Sequence, residues 1–181
     1  FVRAFARLAK IDVSSEMSFK IASEVGSDVF FFLHCVHPGC ALVSGRGEVV
    51  KPIVPRTDIH VLLVFPDVCS STKEAYSLVD KALENGETAD CPDFLELETE
   101  YRKPASLWRF ANSFTVPISR KYPAIETALK AVQSCGASFS DMSGSGAVVF
   151  GIFDTAEAAE TASQKLRLLG MNCVVTSGLG E

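Results

Sequence analysis

No apolar run in these 181 residues approaches the roughly 18 that a membrane-crossing helix needs. A basic leader with an apolar centre and a small-residue cleavage site is also missing. The pattern predicts a cytoplasmic protein that no apolar helix carries across a membrane. Basic clustering is absent as well: 17 Lys and Arg stand against 22 Asp and Glu, a net charge of −5, and the cations are scattered. A nucleic-acid partner is therefore not expected, since it would call for a basic patch, and any bound anion must lean on backbone dipoles. The six cysteines form no Cys-x-x-Cys pair and are too sparse for a disulfide scaffold, so free thiols are expected. His34, Cys35, His37 and Cys40 are the densest group of metal-ligating side chains. All four lie in one short segment, whereas a zinc tetrahedron draws on separated knuckles. A partly buried loop end is favoured, and no metal ligand is assigned.

What is present is apolar bulk, 48% of the chain, enough to bury a core in one or two small domains. Phe1, Ala4, Phe5 and Leu8 form the stripe of an amphipathic helix. Ser14 or Ser15 is placed to cap a second helix, with Met17, Ile21, Ala22 and Val25 inward and Gly26 as its stop. Asp28 then stands before five bulky apolar residues, Val29 to Leu33, which read as a buried strand or core segment. Its carboxylate is either a cap or turn former, or a general base beside a substrate. Residues 41–54 read as a hairpin turning at Gly45, Arg46 and Gly47. Pro52, Pro55 and the stretch Arg56 to Asp58 mark the best boundary in the chain.

Beyond it, His60 to Pro66 is a short buried strand. Ser71 and Glu74 have capping-box spacing, and Ala75, Leu78, Val79, Ala82 and Leu83 form the stripe of the helix they open. The hydroxyls of Ser70, Ser71 and Thr72 fall beside free helix N–H groups, a place that suits an anion. Tyr76 lies at the edge of the stripe. Residues 87–103 read as a solvated acidic loop, and Leu107 to Phe114, apolar around Asn112, as a helix. Pro123 opens a helix closed by Gly136. Asp154 and Glu157 are placed as the capping box of a last helix carrying Ala158, Ala162, Leu166 and Leu169 inward.

The stretch around which the rest is organised is Asp141 to Phe153, a Gly/Ser loop running into a buried strand. Ser143, Gly144, Ser145, Gly146 and Ala147 offer backbone N–H groups that an anion can approach without Cβ interference. A plain turn before a strand is the alternative. From His60 onward the order of strands and helices predicts helices packed on one face of a small antiparallel sheet.

Five segments resemble the GHMP family of small-molecule kinases: GSDVFFFL at Gly26 to Leu33, ALVSGRGE at Ala41 to Glu48, VFPDVCSSTKEAY at Val64 to Tyr76, the Asn112 to Pro123 region, and MSGSGAVVFGIF at Met142 to Phe153. The pairing of the first two points within the family to the branch acting on a cytidyl-diphosphate-bearing methylerythritol. The resemblance implies an α+β chain in which residues 58–181 are a ferredoxin-like C-terminal kinase domain, an antiparallel sheet with helices on one face. Residues 1–57 would be the last part of the N-terminal, ribosomal protein S5-like domain. It further implies ATP as phosphoryl donor with Mg2+, Asp28 as catalytic carboxylate, Thr72 near the substrate diphosphate, Tyr76 on the cytosine, and the Ser143 to Ala147 loop at the phosphates. Phe30 stands where the family carries proline. The family's Lys-containing and central Gly/Ser-rich motifs have no counterpart here, so the expected partner is an N-terminal segment of the same protein, and the chain alone is expected to be inactive. Homoserine or mevalonate kinase-like activity, or a noncatalytic ferredoxin-like binding module, are the alternatives.

Overall fold

A computed structural model describes residues 2–12, 16–35 and 39–177. The proposed caps Ser14 and Ser15, and His37 of the cysteine–histidine group, lie outside the described residues. The chain divides into two compact units, with the break between Arg56 and Thr57.

The first unit contains α1 (Val2–Ala9), α2 (Glu16–Val25), α3 (Asp28–His34) and an antiparallel hairpin of β1 (Cys40–Ser44) and β2 (Val49–Ile53). Its core is small: Ala22, Phe30 and Leu33 are buried, with Val2, Val29 and Val50 against them. The VFFFL run is thus helical, not a strand. Phe30 and Leu33, three apart, turn to one side, while Phe32 is 59% exposed. Phe30 meets the Phe19 ring at 4.9 Å between centroids, which gives the bulky side chain at the family's proline position a packed seat. The hairpin turn sits tightly on the start of α3: Gly47 has φ +110°, and a Cβ there would fall 2.6 Å from the Ser27 carbonyl oxygen. Only glycine meets both demands. The GRGE turn and the GSD segment therefore go together for a steric reason.

In the second unit, β3 (His60–Phe65) leads to α4 (Thr72–Glu84), α5 (Leu97–Arg102), a 3-10 turn (Ala105–Leu107), α6 (Thr115–Lys121) and α7 (Pro123–Ser134). The hairpin β4 (Phe139–Met142) and β5 (Val149–Phe153), then α8 (Ala156–Leu168) and β6 (Asn172–Ser177), complete it. The sheet order is β4-β5-β3-β6, every pair antiparallel. That is the ferredoxin-like arrangement within an α+β chain. Leu62, Val64, Val149, Phe153 and Cys173 share one face of the sheet and form a core with Ile125, Ala128 and Val132 of α7 and Ala159, Ala162 and Leu166 of α8. Each large side chain removed from water there contributes about 1.5–3 kcal/mol.

Local signals placed several elements well. Ser71 caps α4, its hydroxyl accepting from Glu74 N–H at 3.2 Å, and Pro123 opens α7. Others shifted. The cap of α8 is Thr155, accepting from Ala158 N–H at 3.1 Å, and Ala159 in place of Ala158 joins Ala162 and Leu166 on the buried side. Residues 108–114 are not a helix, because Asn112 is drawn into bonds with the end of β4 and the hairpin after it, and α6 starts only at Thr115.

The acidic stretch expected to be solvated holds a buried carboxylate. Glu100, 1% exposed, accepts from Lys103 Nζ at 2.7 Å, from the Arg109 main-chain N–H at 2.7 Å and from Arg109 Nη2 at 3.3 Å. It ties α5 to the segment that lays Trp108 and Phe110 on Phe139, at 5.5 and 6.4 Å between ring centroids. The Lys103 hydrogen bond, followed by those from Arg109, holds the Glu100 carboxyl below the usual carboxylate range. The unfolded chain, with an ordinary value of about 4.3, binds that proton more readily. Stability from Glu100 is therefore fully present above about pH 4.3 and is lost as pH falls through the lower native value. Thermal melts of Glu100→Gln should show a lower Tm at pH 7 and a flatter acid limb than the parent. A parental acid limb would remove Glu100 from this role. Glu74, also held low, leaves a residual slope in both.

Candidate functional site

The glycine loop is the turn of the β4–β5 hairpin, closed by Ser143 N–H on the Val148 carbonyl at 2.8 Å and Gly146 N–H on the Ser143 carbonyl at 3.0 Å. Gly144 and Gly146 take φ of +54° and +94°. Sequence reading supplied the loop and the strand after it but not β4, whose four residues, FSDM, are half polar.

Opposite the loop stands the start of α4. Thr72, its first residue, meets Ser145 hydroxyl to hydroxyl at 3.1 Å. One turn on, Tyr76 is 58% exposed and packs edge-to-face on Phe114, 5.0 Å between centroids. Ser71 is committed to capping, while the Ser70 hydroxyl is buried with no hydrogen-bond partner among the described residues. The structure thus gathers Thr72, Tyr76 and Ser145 of the loop in the second unit. An α-helix N-terminus and a glycine hairpin that share a hydroxyl contact present N–H groups and partial positive charge to an anion.

Residues outside the predicted set hold this arrangement. Glu74 accepts from Tyr122 Oη at 2.6 Å and is paired with Lys121, fastening the first turn of α4 to the end of α6. The Lys121 bond, then the Tyr122 bond, lowers the Glu74 carboxyl, and the same carboxylate raises Lys121 and Tyr122. Asn112 donates from Nδ2 to the carbonyls of Met142 and Gly144, at 2.7 and 2.8 Å. Asp141 accepts from Asn112 N–H at 2.8 Å, from its neighbour Met142 N–H at 2.7 Å and from the Thr115 hydroxyl. A lone asparagine inside an aromatic run was the one signal of this in the sequence. On the face of the sheet turned away from the core, Tyr101, Trp108, Phe139 and Phe150 line an open concavity of about 660 Å³ that reaches Ser143 and Gly144.

Asp28 belongs to the first unit. It is exposed, as the first residue of α3, and the N-cap position before it is Ser27, which makes no side-chain cap bond. Among the described residues no three His, Cys, Asp or Glu side chains gather to hold a metal ion, so no residue is assigned to Mg2+. No helix among them is long and apolar enough to cross a membrane.

Residues 102–170, which run from the end of α5 past α8 and include the glycine hairpin, match the family described as GHMP kinases C terminal. The chain carries a GHMP kinase C-terminal domain. It is similar to the 4-diphosphocytidyl-2-C-methyl-D-erythritol kinase of Treponema pallidum (strain Nichols), 34% identical over 168 residues that make up 90% of this chain and 57% of that protein. It is similar also to the putative kinase of the same name from Streptococcus mutans, 32% identical over 92% of this chain and 57% of that protein. A crystal structure of 4-(cytidine 5'-diphospho)-2C-methyl-D-erythritol kinase superposes with a TM-score of 0.70 and 26% identity, over 97% of this chain and 62% of that one. The chain spans somewhat over half the length of the curated relatives it matches.

Proposed function

We propose that the protein to which this chain belongs transfers the γ-phosphoryl group of ATP, with its accompanying Mg2+, to the 2-hydroxyl of 4-diphosphocytidyl-2-C-methyl-D-erythritol, in the cytoplasm, as a step of non-mevalonate isoprenoid precursor synthesis. In this reading residues 1–57 are the last part of its N-terminal domain and 58–181 its C-terminal domain, and the partner of this chain is the N-terminal segment of the same protein. The observation that carries the reading is the 3.1 Å contact of Thr72 with Ser145, which sets a hydroxyl-bearing helix start against the glycine hairpin with a half-exposed aromatic ring one turn away. Diphosphate and cytosine are the two chemistries those features suit.

Phosphoryl transfer asks the protein mainly for position and charge stabilisation. The N–H groups of Gly144, Ser145 and Ala147 steady phosphate oxygens without reorganising, because the Ser143 and Gly146 N–H bonds within the hairpin already hold the loop in place. Thr72 donates to the acceptor's diphosphate. Tyr76 presents its face to the cytosine while Phe114 supports its edge. Asp28 takes the proton of the acceptor hydroxyl as that oxygen attacks phosphorus.

The test is ATP-dependent phosphate transfer by the complete protein, with the cytidyl acceptor set against homoserine and mevalonate. Turnover with the cytidyl acceptor alone is expected, and turnover with either other alcohol in its place would overturn the assignment. Tyr76→Ala should raise acceptor KM by about 5- to 150-fold, the equivalent of roughly 1–3 kcal/mol of lost stacking, with kcat near parental. Tyr76→Phe should stay close to the parent. An unchanged KM for Tyr76→Ala would take the cytosine off this ring.

A further inference from the structure

The site has two ends, the glycine hairpin and the Tyr76 platform, and one side chain is bonded toward both. Asn112 spends every polar group it has. Nδ2 donates to Met142 and Gly144 carbonyls, Oδ1 accepts from Phe114 N–H at 3.0 Å, its own N–H reaches Asp141, and its carbonyl accepts from Thr115 N–H at 2.9 Å. The two Nδ2 bonds fix the strand end and first glycine of the hairpin. The Oδ1 bond fixes Phe114, whose ring supports Tyr76.

We infer that Asn112 is a positioning residue that locks the phosphate hairpin and the aromatic platform into one arrangement, so that its two halves govern different kinetic constants. This rests on the kinase reading and adds to it. The amide nitrogen acts through the hairpin on the transferring phosphoryl group, hence on kcat. The amide oxygen acts through Phe114 and Tyr76 on the acceptor base, hence on KM. Neither effect requires Asn112 to touch a substrate. An amide with both hydrogens and its oxygen engaged in three directions has one available orientation, and each bond it makes tightens the geometry of the others.

Two substitutions separate the halves. Asn112→Ser keeps an oxygen that can accept from the N–H two residues on, as serine does in such turns, but is too short to reach the hairpin carbonyls. Asn112→Ala keeps neither. In the complete protein Asn112→Ser should lower kcat about tenfold or more, the cost of the two lost positioning bonds, with acceptor KM within about twofold of the parent. Asn112→Ala should lower kcat as much and also raise acceptor KM about fivefold or more. In both, amide hydrogen exchange at Ser143 to Val148 should quicken by about tenfold while β3 exchanges at the parental rate. A merely structural role would cut the active fraction and leave KM parental in both variants. Equal acceptor KM in the two variants, or hairpin exchange at the parental rate, overturns the inference. If Asn112→Ala does not fold, hairpin exchange in Asn112→Ser decides. A parent with no turnover on the cytidyl acceptor would sink the functional reading alone, and the exchange measurement would still decide for or against Asn112.

Discussion

Asp28→Asn in the complete protein should lower kcat by roughly two to four orders of magnitude, the usual contribution of a positioned general base, while acceptor and ATP KM values stay near the parent. The substitution is isosteric and leaves every packed residue of the first unit in place, since the core there is built from Ala22, Phe30 and Leu33. Asp28 is exposed at the first helical position. A helix cap accepts N–H bonds from the position before that, occupied by Ser27. The alternative reading of Asp28 as a cap therefore predicts a loss of stability that its place in α3 does not favour. Turnover in the steady state, thermal melting and acceptor titration on the same preparation separate the two. A fall in kcat at parental Tm and parental affinity is the expected result. Parental kcat in Asp28→Asn would remove this carboxylate from the chemistry, and a drop in kcat matched by an equal drop in folded protein would return it to a structural role.

The parts of this molecule that could be read from the sequence are those decided by neighbours along the chain. Ser71 with Glu74, Pro123 at the start of α7 and the positive φ of Gly136 after it are all settled within one helical turn. The Val29 to Leu33 run could not be assigned by pattern, because five bulky apolar residues in succession carry no period and suit a helix or a strand equally. At α8 two adjacent residues, Asp154 and Thr155, are both good caps. Thr155 is the cap used, and of the expected stripe Ala162 and Leu166 are buried, joined by Ala159 and Ser163, while Ala158 and Leu169 face solvent.

Long-range polar partners were the least legible. Glu100 sits in an acidic stretch whose composition says solvent, yet three donors, two of them from Arg109, make its burial affordable. Asn112 and Asp141 lie 29 residues apart and their bond is invisible until β4 pairs with β5. The site shows the same division. Loop glycines and the Thr72 to Tyr76 spacing announce themselves, whereas the side chains that hold them, Glu74, Asn112 and Asp141, are ordinary polar residues made special only by the fold.

Gly146→Ala should lower kcat by about 10²- to 10³-fold, the scale on which a single misplaced donor in a preorganised anion site is felt. Two independent constraints act at this position. Its φ of +94° lies where a side chain is strained, and a Cβ built there would stand 2.9 Å from the Met142 sulfur. Met142 is buried in the core of the second unit and cannot swing away into solvent. The loop must therefore move, carrying the N–H groups of Ser145 and Ala147 and the Ser145 hydroxyl that faces Thr72. Gly144 supplies the internal comparison. A Cβ on Gly144 meets nothing within 4 Å, and its φ of +54° is one that asparagine tolerates. Gly144→Asn should then keep kcat within about tenfold of the parent, since neither strain nor collision drives the loop out of place. Steady-state rates for both variants, with Tm measured alongside, give the answer. If Gly146→Ala and Gly144→Asn were equally active, the hairpin would be a turn and nothing more, and the phosphate reading of Ser143 to Ala147 would fall with it.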